Sequence, residues 1–324
     1  MFTLVLPITW TVLLVALLID RIVGDPDWLW RRLPHPVAWF GAVIGWADRR
    51  FNRDDLSAYK RKRNGVIFID FAILISALVG WVLSRVFGEL GTLGVALEIA
   101  VVTIFLAHKS LLDHVCAVAD GLRNGGLDGG RGAVAMIVGR DPKTLDEPGV
   151  SRAAIESLAE NFSDGVVAPA FWYLLFGLPG LLAYKMINTA DSMIGHMTAK
   201  HRDFGWMSAV IDDAVNWVPA RLAAVLIMLT QPTALRSNVA IVWRDASLHR
   251  SPNAGWPESA MAAVSGLALG GPRIYRGYIA DEPFMNDAGR KDASETDIRL
   301  CVLFADRAFW SAFALLLLAI IVSA

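Results

Sequence analysis

The chain has only two cysteines in 324 residues, Cys116 and Cys301, and neither has a ligand partner close by in sequence. That excludes a disulfide framework and a thiolate metal site. Charge is scarce as well: Asp, Glu, Lys and Arg together make up 19% of the residues and the formal net charge is -1. A balance so close to neutral gives no whole-protein basis for nucleic-acid binding. No GxxxxGKS/T motif occurs, so there is no P-loop, and neither a low-complexity stretch nor an internal repeat stands out. What the chain has in quantity is apolar surface: 55% hydrophobic residues, 12 Trp and a mean hydropathy of +0.47. Each of these is displaced from soluble averages toward lipid.

The apolar residues come in runs. Met1 to Ile19 carries no charged side chain for 19 residues, Gly165 to Tyr184 none for 20, and Ala308 to Ala324 none for 17. These meet or approach the length of about 20 residues that a helix needs to cross the hydrocarbon. Three further runs hold charges: Gly65 to Ser84 contains Asp70, Leu90 to Ala107 contains Glu98, and Ser208 to Thr230 contains Asp212, Asp213 and Arg221. Facing lipid would be costly, so these acids are expected inside the bundle. The expected fold is all-α: a polytopic integral membrane protein with about four to seven membrane segments, one domain over 1–324. Polar connecting blocks at 20–64, 108–164, 185–221 and 243–307 are expected to form a site at one membrane face. The first run lacks a basic leader and a small-residue cleavage site and reads as a retained helix. The cluster Arg49, Arg50, Arg53 and Lys60 to Arg63 places 20–64 on the cytoplasmic side. If every run crossed once, 185–207 would lie outside, away from the other polar blocks. Pro169 and Pro179 favour a broken or re-entrant segment over 165–184, which removes that conflict.

The polar blocks carry the chemistry. In RAAIESLAENFSDGVVAPAFWYLL, Arg152, Glu156 and Glu160 recur every fourth residue and share a helical face, and Asn161, Ser163, Asp164 and Gly165 read as a turn-like break. In YKMINTADSMIGH, Lys185, Asn188, Asp191 and Ser192 fall on one side of a helix. The stretch IDDAVNWVPARL sets Asp212 and Asp213 three to four residues from Asn216, with Arg221 beyond Pro219. The stretch WRDASLHRSPNAGWPES brings Arg244, Asp245, His249, Asn253 and Glu258 together among prolines and a glycine and reads as a shaped loop. Capping, surface pairs and a polar seam within a bundle account for each block by itself. A shared site accounts for all of them, with Glu160, Asp164, Asp191, Asp212 and Asp213 as hard oxygen ligands suited to Mg²⁺. Arg131, Arg140 and Lys143, in the glycine-rich stretch 125–145, add a weaker anion-binding signal.

Taken in order, GDPDWLWRRLPHPVAWFG, GRDPKTL, SRAAIESLAENFSDGVVAPAFW, YKMINTADSMIGH, IDDAVNWVPARL and WRDASLHRSPNAGWPESAMA closely resemble the CobD/CbiB family of cobalamin biosynthesis, the adenosylcobinamide-phosphate synthases. The resemblance covers roughly 11–310. It implies a multi-pass inner-membrane enzyme with its active face toward the cytoplasm. Such an enzyme joins (R)-1-amino-2-propanol or its O-phosphate to the remaining propionate of adenosylcobyric acid, using ATP and Mg²⁺. It also leaves room for a homo-oligomer, or for association with other corrinoid-pathway membrane enzymes. On this reading Glu156, Glu160, Asp164, Lys185, Asp191 and His249 are the catalytic candidates. Asn161, Asn188, Ser192, Asn216, Arg221, Arg244 and Asn253 are the candidates for holding the cofactor. Two other classes compete: an AmpE-like membrane sensor or ligand-binding protein, and a corrinoid-related transporter using its intramembrane acids.

Overall fold

The apolar runs fold as helices, because in lipid every backbone polar group must be satisfied within the chain. A computed structural model describes residues 5–138, 142–275, 278–280 and 282–323. In chain order the helices are α1 (Val5–Val23), α2 (Asp27–Trp30), α3 (Pro36–Phe51), α4 (Ala58–Glu89), α5 (Thr92–Phe105), α6 (His108–Val134), α7 (Glu147–Phe162), α8 (Ala168–Ile194), α9 (Trp206–Val215), α10 (Trp217–Met228), α11 (Leu235–Asp245), α12 (Gly255–Ser265) and α13 (Glu295–Ser323). Among the described residues, strand structure is limited to two short antiparallel ribbons: Leu269–Gly270 with Phe284–Met285, and Arg273–Tyr275 with Tyr278–Ala280. Among the described residues four segments, Ala58–Glu89, Thr92–Val134, Glu147–Ile194 and Glu295–Ser323, are long and apolar enough to cross a membrane. A fifth is gained if the bent pair Trp217–Met228 and Pro232–Leu248 counts as one span. The all-α polytopic fold is therefore as the composition implies. Arg140, in the glycine-rich stretch, and Met1 to Leu4, at the start of the first apolar run, lie outside the described residues.

Contacts divide the chain into two units, Met1–Ala107 with Ala168–Asn216 and Ile320–Ala324, and His108–Val167 with Trp217–Ala319. The first unit packs α4 against α8, with α1, α3, α5 and α9 around them. Its core includes Ile44, Ala47, Ile69, Ala72, Met186, Ala190, Ile194 and Phe204. The buried stripe on α4 is Gly65, Ile69, Ala72, Ser76 and Gly80, small enough to admit neighbouring backbone. A Cβ on Gly65 would stand 1.9 Å from the Phe204 carbonyl oxygen. Asp70 lies beside this stripe and is exposed, contrary to the expectation that it faces inward. Glu98 does find an internal partner, accepting the Tyr173 hydroxyl at 2.7 Å.

Two of the long apolar segments, Thr92–Val134 and Glu147–Ile194, run to 43 and 48 residues, well beyond one crossing. Each contains a reversal. Gly126 within α6 and Gly177 within α8 have φ of 60° and 64° with ψ of -153° and -150°. Gly91, between α4 and α5, has φ 56° and ψ -129°. This conformation strains any residue with a Cβ. Three residues after each pivot stands another glycine. A Cβ on Gly94 would meet the Phe87 carbonyl oxygen at 1.8 Å, on Gly129 that of Gly121 at 2.4 Å, and on Gly180 that of Trp172 at 2.4 Å. Residues seven or eight apart in a straight helix are about 10–12 Å apart along the axis. Contact at that separation means the chain doubles back, so 168–176 and 178–194 form a helical hairpin.

The second unit packs α6 on α7 and α10 on α12, with α11 beside α12. Three readings of its residues change here. The expected break at Asn161 to Gly165 is a π-helical turn, Ser163–Val167, which continues the helix with one wider turn. The stretch 208–230 is not one straight crossing: α9 ends at Val215, and α10 and the helical segment after it meet at 108°. The block around His249 is mostly helical, α11 and α12 flanking a short 3-10 turn and the connection 249–254.

Candidate functional site

The first unit gathers acids where α8 and α9 meet. Asp212 is buried at 9% exposure and Asn216, one turn later, at 1%. Tyr184 on α8 donates its hydroxyl to Asn216 Oδ1 at 3.0 Å, and Asn216 Nδ2 donates to Asp212 Oδ2 at 3.0 Å. Asp212 Oδ1, also buried, accepts no hydrogen bond of good geometry, and the Asn188 amide stands beside the carboxyl. Burial, and then the charge of Asp191, push the Asp212 carboxyl up to about 7, against the opposing pull of the Asn216 and Asn188 amides. Burial raises Asp213 too. The Asp191 carboxylate lies over Gly195, where a Cβ would come within 1.9 Å of Asp191 Oδ1. Lys185 is buried on the same helix, and Ser192 donates its hydroxyl back to the Asn188 carbonyl at 2.9 Å. Of the expected residues, this unit thus brings together Asn188, Asp191, Asp212, Asp213 and Asn216. Tyr184 was not singled out, because one tyrosine in an apolar run reads as core; Asn216 thirty-two positions later is its signal only in three dimensions.

The second unit holds the remaining candidates. Glu156 is buried, and its Oε1 accepts the Gly270 backbone N–H at 2.8 Å, tying α7 to the ribbon segment. Glu160 and Asn161 are exposed, and Asn161 Nδ2 donates to the Ser157 carbonyl at 2.8 Å. Asp164 sits half-buried in the π turn. Arg221 is clasped between two indoles, its guanidinium carbon 4.1 Å from the Trp217 ring centre and 4.5 Å from that of Trp256. It also donates to the Trp217 carbonyl at 2.6 Å and to Asn253 Oδ1 at 3.4 Å. Arg244 is held bidentately by Asp245 at 2.6 and 2.7 Å, and Asp245 Oδ2 accepts the Asn286 N–H at 2.7 Å. His249 Nδ1 accepts the Ser251 N–H at 3.0 Å, which leaves the hydrogen of the neutral ring on Nε2, 3.7 Å from Glu258 Oε1.

The donor chemistry fits a hard cation brought in by phosphate. Among the described residues no three His, Cys, Asp or Glu side chains are grouped tightly enough to form an all-protein cage. Mg²⁺ does not need one, since it keeps several waters and is typically held by one or two carboxylates together with substrate phosphates. The unpartnered Asp212 oxygen near Asp191 meets that requirement.

The family profile described as "CobD/Cbib protein" matches residues 13–304. The chain belongs to the CobD/CbiB family. A CobD/CbiB relative from Sinorhizobium sp, named cobalamin biosynthesis protein CobD, is 59% identical over 292 residues, covering 89% of this chain and 90% of the relative. Relatives of the same name from Rhizobium meliloti (strain 1021) and Brucella anthropi are 56% and 51% identical, over 90% and 94% of this chain and the same shares of their own. No solved structure matches. This member of the CobD/CbiB family is therefore a cobalamin-biosynthesis protein, with helices long and apolar enough to span a membrane.

Proposed function

We propose that this chain is the synthase that forms the aminopropanol amide of the corrinoid. It joins (R)-1-amino-2-propanol or its O-phosphate to the free propionate of adenosylcobyric acid, at the cytoplasmic face of the inner membrane. The observation that carries this reading is the buried Asp212 with one oxygen fixed by Asn216 and the other unpartnered, beside Asp191, in a chain of this family.

A free carboxylate is a poor electrophile toward an amine. ATP with Mg²⁺ supplies the activation, turning the propionate into an acyl phosphate or acyl adenylate before the C–N bond forms and the phosphate-bearing oxygen leaves. Asp191 and Asp212, with Asp213 beside them, would hold the cation, which would offset the charge of the phosphates. Lys185 in the first unit and Arg221 and Arg244 in the second are the phosphate-binding candidates, Arg having the better geometry for two parallel bonds where its fork is open. Arg221 is the best prepared of the three, because its ring clamp fixes the guanidinium plane before ligand arrives. The attacking ammonium must lose a proton, to His249 or to a carboxylate. With Nδ1 of His249 engaged by Ser251, a carboxylate is the better placed acceptor.

The transporter reading gains nothing from the structure of the first unit: Asp70 is exposed and Glu98 is held by Tyr173, so the two supply no continuous charged path. The deciding experiment incubates purified protein with adenosylcobyric acid, ATP, Mg²⁺ and either amine. Loss of ATP with appearance of an amide-linked corrinoid is expected. Specific binding of the corrinoid without product would move the protein to the sensor class.

A further inference from the structure

The hairpin formed by 168–194 borders an open-sided pocket of about 290 Å³ within the first unit. Its walls are Ala77 of α4 and Trp172, Phe176, Pro179, Ala183 and Tyr184 of the hairpin. No polar atom reaches its accessible surface, although two of its aromatic walls carry polar tips. Both tips are turned away and satisfied elsewhere: Trp172 Nε1 donates to the Val215 carbonyl at 3.1 Å, and the Tyr184 hydroxyl donates to Asn216. An apolar cavity of this size with no hydrogen-bonding wall excludes water and accepts hydrocarbon. Its surroundings settle which hydrocarbon. All the lining residues but Val215 of α9 belong to Ala58–Glu89 and Glu147–Ile194, both apolar enough to cross a membrane, and Phe176 is 61% exposed. What stands outside the mouth is lipid.

We propose that this cavity is a binding site for one acyl chain of a membrane lipid. The reversal at Gly177 creates the space: Pro179 and Gly180 turn the second limb back, so that the first-limb rings of Trp172 and Phe176, stacked at 5.8 Å, form a wall rather than filling the gap. The chain lies against the ring face of Tyr184, whose hydroxyl holds the Asn216 and Asp212 network on the far side. An occupied cavity therefore braces that ring, whatever reaction the acids serve.

The test is native mass spectrometry of the full-length protein released from mild detergent. The wild type is expected to retain about one phospholipid per chain, and Ala183→Phe, which fills the cavity, to retain none. Thermal unfolding of the variant shows whether it is folded, and Ala77→Phe fills the same space from the facing helix. As a second readout, a brominated-chain phospholipid is titrated into detergent-solubilised protein. The share of fluorescence due to Trp172, obtained by difference from Trp172→Phe, is expected to be quenched saturably at about one equivalent and not in the filled variants. Several results would overturn the proposal: a wild type that retains no lipid, equal retention in folded wild type and filled variants, a non-saturating quench, or a dimer that loses its lipid-sized adduct because a second chain covers the mouth.

Discussion

Tyr184 and Asn216 are thirty-two positions apart in the chain and joined by a hydrogen bond of 3.0 Å between two nearly inaccessible side chains. Through it the orientation of the Asn216 amide is settled: with Oδ1 accepting from tyrosine, Nδ2 must face Asp212. That leaves Asp212 with one fixed oxygen and one unpartnered oxygen.

Removing the hydroxyl should loosen this arrangement without emptying the core. Tyr184→Phe is expected to cost about 1 kcal/mol of stability and to raise the Mg²⁺ concentration needed for half-maximal amide synthesis by about tenfold, as for other groups that orient a ligand. A Mg²⁺ titration of turnover, alongside thermal unfolding, measures both. An unchanged titration would show that the tyrosine serves packing alone.

Asp212→Asn keeps the shape and removes the charge. Turnover is expected to fall by about two orders of magnitude or more. Stability without ligand is expected to rise by about 1 kcal/mol at pH 8, because a carboxyl displaced upward by burial destabilises the fold once it ionises. Loss of both activity and stability would mean that the carboxylate is structural.

Asp48 presents the opposite sign. It is buried at the end of α3, accepts Asn52 Nδ2 at 2.8 Å, pairs with Lys200, and lies 3.5 Å from His201 Nε2. Burial alone would raise its pKa, but the Lys200 and Asn52 hydrogen bonds and the neighbouring positive charges outweigh it and hold the carboxyl below the ordinary 3.8. A lowered value stabilises the fold above the unfolded-state pKa, and that contribution is lost as pH falls through the folded-state value. Asp48→Asn is therefore expected to cost about 1–2 kcal/mol at pH 7, allowing for the exposed Lys200 head. The difference from wild type should shrink as pH falls below the ordinary 3.8 and through the lowered folded-state value. Denaturant unfolding over this pH range measures this.

The hairpin glycines make a steric prediction. Gly180→Ala and Gly94→Ala place a Cβ within 2.4 and 1.8 Å of a carbonyl oxygen, whereas a Cβ on Gly88 meets nothing within 4 Å. The first two are expected to cost about 2–4 kcal/mol through forced backbone movement, and Gly88→Ala to be neutral or slightly stabilising. Unfolding in detergent separates the two outcomes.

The reversals also show where reading along the chain stops. Gly91 to Gly94, Gly126 to Gly129 and Gly177 to Gly180 share a glycine spacing of three, yet so do Gly88 to Gly91 and Gly129 to Gly132. Only three of these five pairs begin with a glycine at positive φ. Spacing alone cannot tell a pivot from a helical glycine, because φ is decided by which helices pack on either side. The expectation of a re-entrant segment over 165–184 rested on the prolines, while the turning residue is Gly177. Asp70 was placed inside the bundle from cost alone; its exposure follows from its register, one residue beyond the buried Ile69.

By itself the sequence determined the class of molecule: a helical membrane protein with acids and amides set against apolar runs, and motifs specific enough to name its family. Those properties are local, since a run of uncharged residues or an ordered motif means the same thing wherever the chain later goes. Only the tertiary structure decided which acid is buried, which of its oxygens is left unpartnered, and that a tyrosine among apolar residues holds the amide beside it. Burial and hydrogen-bond partnership belong to pairs of residues far apart in the chain, and contact between them exists only once the helices have packed.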